Sequence, residues 1–311
     1  MLVFHNLEQV PAGFGPTFLS VGNFDGVHRA HAHVLGEIVT RARAMGGHAV
    51  AVTFEPHPIR ILRPDHDLKL ITPAAEKIRL LESTGVDAIL LLPFTRDLSL
   101  MTPHEFAHDI LKKRLHAVEV HEGYNFHFGH QASGNIRTLR ELGREMGFDV
   151  HDYPEMRLRG ETVSSSHIRK LIREGRVNRS RHLLARPFSV LSNAGRGRGY
   201  GSKYTVPTIN LARYEELVPK DGVYITRTRI GEECFNSVTN IGNRPTFGVD
   251  SFAIETHLLN FHPIELAPDT EVELHFLDRL RDEIKFPSVD ALKRQIGRDV
   301  AKAQKYFRRI R

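Results

Sequence analysis

The sequence predicts two domains of different class: a doubly wound α/β domain, then a small closed β-barrel that ends in a helix. Two patterns predict this. From Thr17 to Tyr153, apolar β-prone runs alternate with helical stretches, as in a parallel sheet with helices on both faces. From Phe188 to Phe276 the runs become short, and glycine, proline and asparagine separate them. A length of 311 residues lets each domain bury its own core. The change of character falls near Pro187, so the expected domains are residues 1–186 and 187–311.

Each element has its own signal. The run Thr17–Val21 feeds a loop holding Gly22 and Gly26, and a helical pattern follows from Ala30 to Met45. The next strand, His48 to Phe54, stops at Glu55-Pro-His-Pro58. Thr72 and Pro73 open a helix as its cap and first residue. Asp87 to Phe94 is apolar throughout and reads as a strand buried on both faces. Thr102-Pro-His-Glu105 is a capping box. A strand at Ala117–His121, a helix at Gly134–Met146 and a fifth strand at Phe148–Tyr153 complete the first domain's sheet. A serine-led helix follows Val163, and a short basic helix ends at Pro187. In the barrel, Val206–Leu211, Gly222–Ile230, Cys234–Asn240, Phe252–Leu259 and Glu271–Leu277 are β-prone. The last helix starts at Ser288, and Val289, Leu292, Ile296 and Val300 stand at helical spacing to pack on the barrel.

Composition narrows the function classes. No apolar run approaches the ~18–20 residues of a membrane span. The N-terminal residues carry no basic stretch followed by an apolar core, so no signal peptide is expected. One cysteine, Cys234, excludes an internal disulfide and fits a cytoplasmic protein. The formal charge of +6 admits nucleic acid as a partner, with Arg196, Arg198 and Lys203 as its contacts. An excess of 43 basic over 37 acidic residues is met equally well by phosphorylated small molecules, which the motifs favour.

The chemistry concentrates where strands end. Strand, glycine loop and helix start form a common anion site, in which free N–H groups of the first helical turn point at a phosphate. His28 and His31 stand three apart at that helix start and share a face. Ser164, Ser165 and Ser166, followed by Arg169, can clamp a phosphate through hydroxyls and a forked guanidinium. Thr208 and Asn210 sit at i and i+2 of a strand, so both face one side and can hold Mg²⁺ with a terminal phosphate. Gly197 and Gly199 lie in a glycine-arginine run able to wrap phosphates. Glu255, on a later strand, can take a proton from a substrate hydroxyl or serve as a plain cross-strand ion-pair partner.

Taken together, Gly22-Asn-Phe-Asp-Gly-Val-His28 with His31 resembles the signature of HxGH-type, Rossmann-like nucleotidyltransferases, in the form carried by prokaryotic FAD synthetases. Ala30 stands where that family has glycine. Glu122-Gly-Tyr-Asn-Phe-His-Phe-Gly129 and Ser164-Ser-Ser-His-Ile-Arg169 resemble two further family segments. Pro207-Thr-Ile-Asn-Leu211, Asp221-Gly-Val-Tyr224, Asn240–Phe247, Ile254–Leu259 and Leu280–Phe286 resemble the riboflavin kinase module that follows. The resemblance implies a bifunctional enzyme that phosphorylates riboflavin to FMN and then adenylylates FMN to FAD. ATP is its co-substrate and Mg²⁺ its metal. It gives catalytic roles to His28, His31, Arg169 and Glu255, and nucleotide contacts to Gly22, Asn23, Phe24, Asp25 and Gly26. Asn125 and Phe128 become flavin contacts, and Thr208 and Asn210 metal ligands. Thr205 replaces a family glycine, and Ser202–Tyr204 also depart from the pattern. That leaves open an adenylyltransferase with an altered kinase site.

Overall fold

The computed structural model describes residues 1–195, 208–212, 214–243, 252–262 and 270–310. These divide into two compact units, Met1–Ser165 and Ser166–Arg311.

In the first unit, β1 (Leu2–Phe4), β2 (Thr17–Val21), β3 (His48–Glu55), β4 (Ala88–Pro93), β5 (Ala117–Gly123) and β6 (Asp149–Tyr153) form one sheet. Every neighbouring pair is parallel, in the order β1-β4-β3-β2-β5-β6. Alternate residues of each strand point to opposite faces. Phe18, Ala49, Ala51 and Ile89 meet Leu35, Ile38 and Ala42 of α1 (Arg29–Met45) and Leu81 of α2 (Ala74–Glu82). Leu19, Val50, Val52 and Leu90 face the other way. They meet Phe106, Ile110 and Leu111 of the helical segment Phe106–Arg114 and Leu139 of α3 (Ile136–Met146). The five expected strands are present, and β1 is an additional one at the edge beside β4.

Thr102 forms the expected capping box with Glu105. Thr72 does not cap α2. Pro73 holds that position without a side-chain bond, because the Thr72 hydroxyl accepts the Gly26 N–H at 2.9 Å. The strand order reverses between β2 and β5, and in open α/β sheets such a crevice, at the carboxyl ends of the strands, receives ligands.

The second unit takes in α4 (Ser165–Arg173) from its second residue onward, and α5 (Val177–Leu184) packs on β7 (Phe188–Asn193) and β12 (Glu271–Arg281). With β8 (Thr208–Asn210), β9 (Gly222–Ile230), β10 (Glu233–Asn243) and β11 (Phe252–Leu258) they make an antiparallel sheet ordered β7-β12-β9-β10-β11-β8. Its two edges meet. Ala194 bridges Leu211, Gly195 N–H donates to Asn210 O at 2.7 Å, and Ala212 N–H donates to Asn193 O at 2.9 Å. The barrel is closed, as the short-strand pattern predicts.

Phe188, Val190, Tyr224, Leu274 and Phe276 fill part of its interior. Beside them lie five fully buried hydroxyls in one hydrogen-bonded ring: Thr226 to Ser237 (2.8 Å), Ser237 to Thr228 (2.7 Å), Thr228 to Thr256 (3.1 Å), Thr256 to Thr239 (2.9 Å), and Thr239 back to Thr226 (2.7 Å).

The terminal helix α6 (Val289–Arg309) covers an outer face, setting Ala303 and Phe307 on Val223, Ile225, Val238 and Leu277. Asp299, itself buried, accepts from Arg281 Nε and from Gln295 Nε2, each at 2.9 Å. Here the sequence expectation needs correcting. Val300 packs on the barrel, but Val289, Leu292 and Ile296 are exposed, because the anchoring contacts lie along the C-terminal part of the helix.

Candidate active sites

The first candidate site grows from the end of β2. Gly22 N–H still belongs to the sheet and donates to Val52 O at 2.9 Å. The chain then turns sharply, with positive φ at Phe24 (47°), Gly26 (85°) and Val27 (34°). A side chain on Gly22 would sit 3.3 Å from the Phe24 ring, which tucks beneath the loop. The buried Asp25 carboxylate accepts the N–H groups of Ile71 (2.9 Å) and Thr72 (3.0 Å), so it ties the loop to the segment before α2. Asn23 is exposed, and its carbonyl accepts from Thr53 Oγ1 at 3.2 Å and Lys77 Nζ at 3.5 Å. Asp25, Gly22 and Gly26 thus hold the loop's shape, while Asn23 lies at its surface.

His28 caps α1, and its Nδ1 accepts the His31 N–H at 3.4 Å. With Nδ1 accepting, a neutral His28 carries its proton on Nε2. The two imidazoles stack with centroids 3.6 Å apart and planes 15° from parallel. The Phe24 ring meets His31 edge-on at 5.1 Å. Burial first, and then the neighbouring His28, push the His31 imidazole well below its usual pKa, so it is neutral at pH 7. Its Nδ1 is buried and has no hydrogen-bond partner in the protein. An anion over this pair would favour the protonated rings and supply the missing partner.

Three residues to which sequence reasoning gave no role in a site shape this one. Thr72 holds the Gly26 N–H, as above. Lys77, at 5% exposure, donates to Thr53 Oγ1 and the Phe54 carbonyl at 3.2 Å each. Burial lowers its pKa against the opposing pull of Glu55 and Asp25. Glu122, 3% exposed at the end of β5, accepts the Val21 N–H at 2.5 Å. Backbone pairing between β2 and β5 stops at Leu19, so this carboxyl bridges the strands where they part. Burial raises its pKa well above the usual carboxylate value, against the pull of that N–H. The signal in the sequence is an acidic residue directly before Gly123, in a strand that is otherwise mostly apolar.

The other residues singled out from the sequence lie in different environments. Asn125 is exposed, with its carbonyl 2.9 Å from His127 Nδ1. Phe128 is buried, stacked on Phe126 and close to Phe106. Phe126 is the less buried of the stacked pair. The Ser165 hydroxyl donates to the Asp25 carbonyl at 2.8 Å and so joins the glycine loop, while Ser164 is half-buried one residue earlier. Ser166 is exposed and Arg169 is buried, both on α4 in the second unit.

The second candidate site is a face of the barrel. Asn210 lies directly opposite Glu255, whose neighbour on the other side is Asn240, and Thr208 lies opposite His257. Cross-strand partners share a face with Cβ atoms ~4.5–5.5 Å apart. Ile254, Thr256 and Leu258 point into the barrel and are buried, which turns Glu255 and His257 to the outer side, where both are half-buried. Burial lowers the His257 pKa. The register therefore brings Thr208, Asn210 and Glu255 onto one face. A hydroxyl, an amide and a carboxylate oxygen are hard donors that suit Mg²⁺. Gly197, Gly199, Ser202–Tyr204 and Thr205 lie outside the described residues, as do Arg196, Arg198 and Lys203.

Comparison with known proteins follows the same division. A family profile described as FAD synthetase matches residues 12–167, and one described as riboflavin kinase matches residues 184–307. A bifunctional riboflavin kinase/FMN adenylyltransferase from Buchnera aphidicola is 30% identical over 98% of both chains. The chain belongs to the bifunctional riboflavin kinase/FMN adenylyltransferase family. Another member, from Pseudomonas fluorescens, is 33% identical over 96% of this chain and 95% of its own. A crystal structure titled as a macrolide-efflux protein from Streptococcus pneumoniae superposes with a TM-score of 0.87 and 26% identity, covering 97% and 98% of the two chains. Among the described residues here, no helix is long and apolar enough to cross a membrane. Within the family frame, the glycine loop, both histidines and Ser164–Ser166 fall in the FAD synthetase match. Thr208, Asn210 and Glu255 fall in the riboflavin kinase match, and Arg169 lies between the two.

Proposed function

We propose that this chain makes FMN and then FAD: the barrel phosphorylates riboflavin, and the α/β domain adenylylates the product. What carries this reading is the tandem of family matches, each falling on a unit with a site of the right chemistry. We place the functional boundary at residues 186/187 and the protein in the cytoplasm.

In the barrel, a ribityl hydroxyl oxygen bonds to the γ-phosphorus of ATP as the bond to ADP breaks, and Glu255 accepts the hydroxyl proton. Thr208 and Asn210 would hold Mg²⁺, which when bound neutralises charge on the phosphates. In the α/β domain, an FMN phosphate oxygen attacks the α-phosphorus of a second ATP and pyrophosphate leaves. His28 Nε2–H and His31 stabilise the negative charge that develops, and the glycine loop holds both rings in position. Arg169 and the serines supply further donors to phosphate.

The test uses the full chain with ATP and Mg²⁺, given riboflavin in one assay and FMN in another. The first should yield FMN followed by FAD, the second FAD and pyrophosphate. FAD from FMN with no FMN from riboflavin would mean an altered kinase site. No flavin product in either assay would overturn the reading.

A further inference from the structure

Glu119, His121 and His151 converge on the α1 side of the sheet, and none of them belongs to either site above. Glu119 Oε2 is their meeting point. It lies 2.9 Å from His121 Nε2 and 3.6 Å from His151 Nε2, and the three ligand atoms all lie within 4.8 Å of one another. Four-coordinate zinc, with bonds of ~2.0–2.3 Å, needs ligand atoms roughly 3.3–3.7 Å apart, so small side-chain adjustments suffice. The parallel register sets His121 of β5 beside His151 of β6, and their rings stack at 4.6 Å.

Each ligand is also oriented by a second partner. Arg41 of α1 grips both oxygens of the Glu119 carboxylate, with Nε 3.0 Å from Oε2, the oxygen the histidines also face, and Nη2 on Oε1. His121 Nδ1 lies 2.7 Å from the Tyr153 hydroxyl. Ligating histidines and carboxylates carry such outer partners, which fix tautomer and direction. Two imidazoles and one carboxylate select a borderline transition ion such as zinc over Mg²⁺ or Ca²⁺.

We propose that Glu119, His121 and His151 bind one Zn²⁺, with solvent as the fourth ligand, and that the ion pins the edge strand β6 to β5. On binding, metal–nitrogen and metal–oxygen bonds replace the hydrogen bond between His121 and Glu119. The His121 proton moves from Nε2 to Nδ1 and is donated to the Tyr153 oxygen, with no net proton release.

The test titrates the metal-free full chain with Zn²⁺ alone and with Co²⁺ alone, against His151→Ala and Tyr153→Phe. His151 has 44% of its side chain exposed, so its removal should leave the fold intact. The wild type should bind one equivalent lost in His151→Ala, with Co²⁺ giving the visible absorption of a four-coordinate ion. Tyr153→Phe should weaken that equivalent roughly 10–100-fold. Both variants should keep both flavin activities. Failure of the wild type to bind Zn²⁺ at micromolar concentration would overturn the site. So would unchanged binding by His151→Ala, which would place the ion on other histidines.

Discussion

Glu122 offers a direct test of how the crevice between β2 and β5 is held open. Its carboxyl is buried and its folded pKa is raised, whereas in the unfolded chain it titrates near the ordinary value of 4.5. Stability from such a group is fully present below pH 4.5 and is lost as pH rises towards the folded pKa, because only the unfolded state then releases the proton. Glutamine keeps the oxygen that accepts the Val21 N–H and has no proton to lose. The stability of Glu122→Gln relative to wild type should therefore rise with pH, by up to ~1.4 kcal/mol per unit until the folded pKa is passed. All other titrations cancel in the difference. The assay is urea denaturation followed by circular dichroism at pH 5, 6, 7 and 8. The relevant transition is the one that coincides with loss of adenylyl transfer. Parallel stability curves for the two proteins would refute the reasoning, since Glu122 would then titrate alike in both states.

Four further outcomes are expected. His28→Ala should lose on the order of 10²–10³ in FAD formation from FMN and leave riboflavin phosphorylation intact, measured by separating the flavins. Glu255→Gln should lose roughly 10²–10⁴ in FMN formation, while FAD formation from supplied FMN stays at the wild-type rate. Thr72→Val should leave the Gly26 N–H without its acceptor, destabilise the first unit by ~1–3 kcal/mol and slow adenylyl transfer alone. Asp299→Ala removes the carboxylate partner of the largely buried Arg281 guanidinium and should cost the second unit about 3 kcal/mol in urea denaturation; a loss below ~1 kcal/mol would mean that solvent already screens the pair.

What the sequence made legible is the part governed by periodicity. Runs such as Ala88–Pro93 read as doubly buried strands, and alternation turns Glu255 to the face opposite Ile254 and Leu258, whereas its pairing with Asn210 rests on a register that strand assignment alone does not give. Three residues at Leu2–Phe4 are too few to show a period, so β1 passed unseen. Thr72 has every local mark of a cap, yet a loop 46 residues away takes its hydroxyl, and no window of sequence contains both partners. In α6 the apolar spacing extends over the whole helix, while the barrel covers only the end anchored by Asp299. The burial of Glu122 and Lys77 depends on strands distant in the chain, which no local window contains. Phe128 carries a motif position and a core position at once, and the structure places its ring in the core.

The hydroxyl ring inside the barrel has a consequence for how the strands find their alignment. Five oxygens that each donate once and accept once are satisfied only as a complete circuit, in either of two rotational senses. Slipping β9 against β10 by one residue would swing these hydroxyls outward and bring Ile225 or Val238 in. Slipping by two would keep the faces but open the circuit, at roughly 1–3 kcal/mol for each polar group left bare. The ring thus works as a lock that accepts a single setting. Asn240 and Glu255 follow Thr239 and precede Thr256 on the same two strands, so the outer face comes into line only when Thr239 meets Thr256 within. A buried polar circuit thus fixes which residues line up on the outer face.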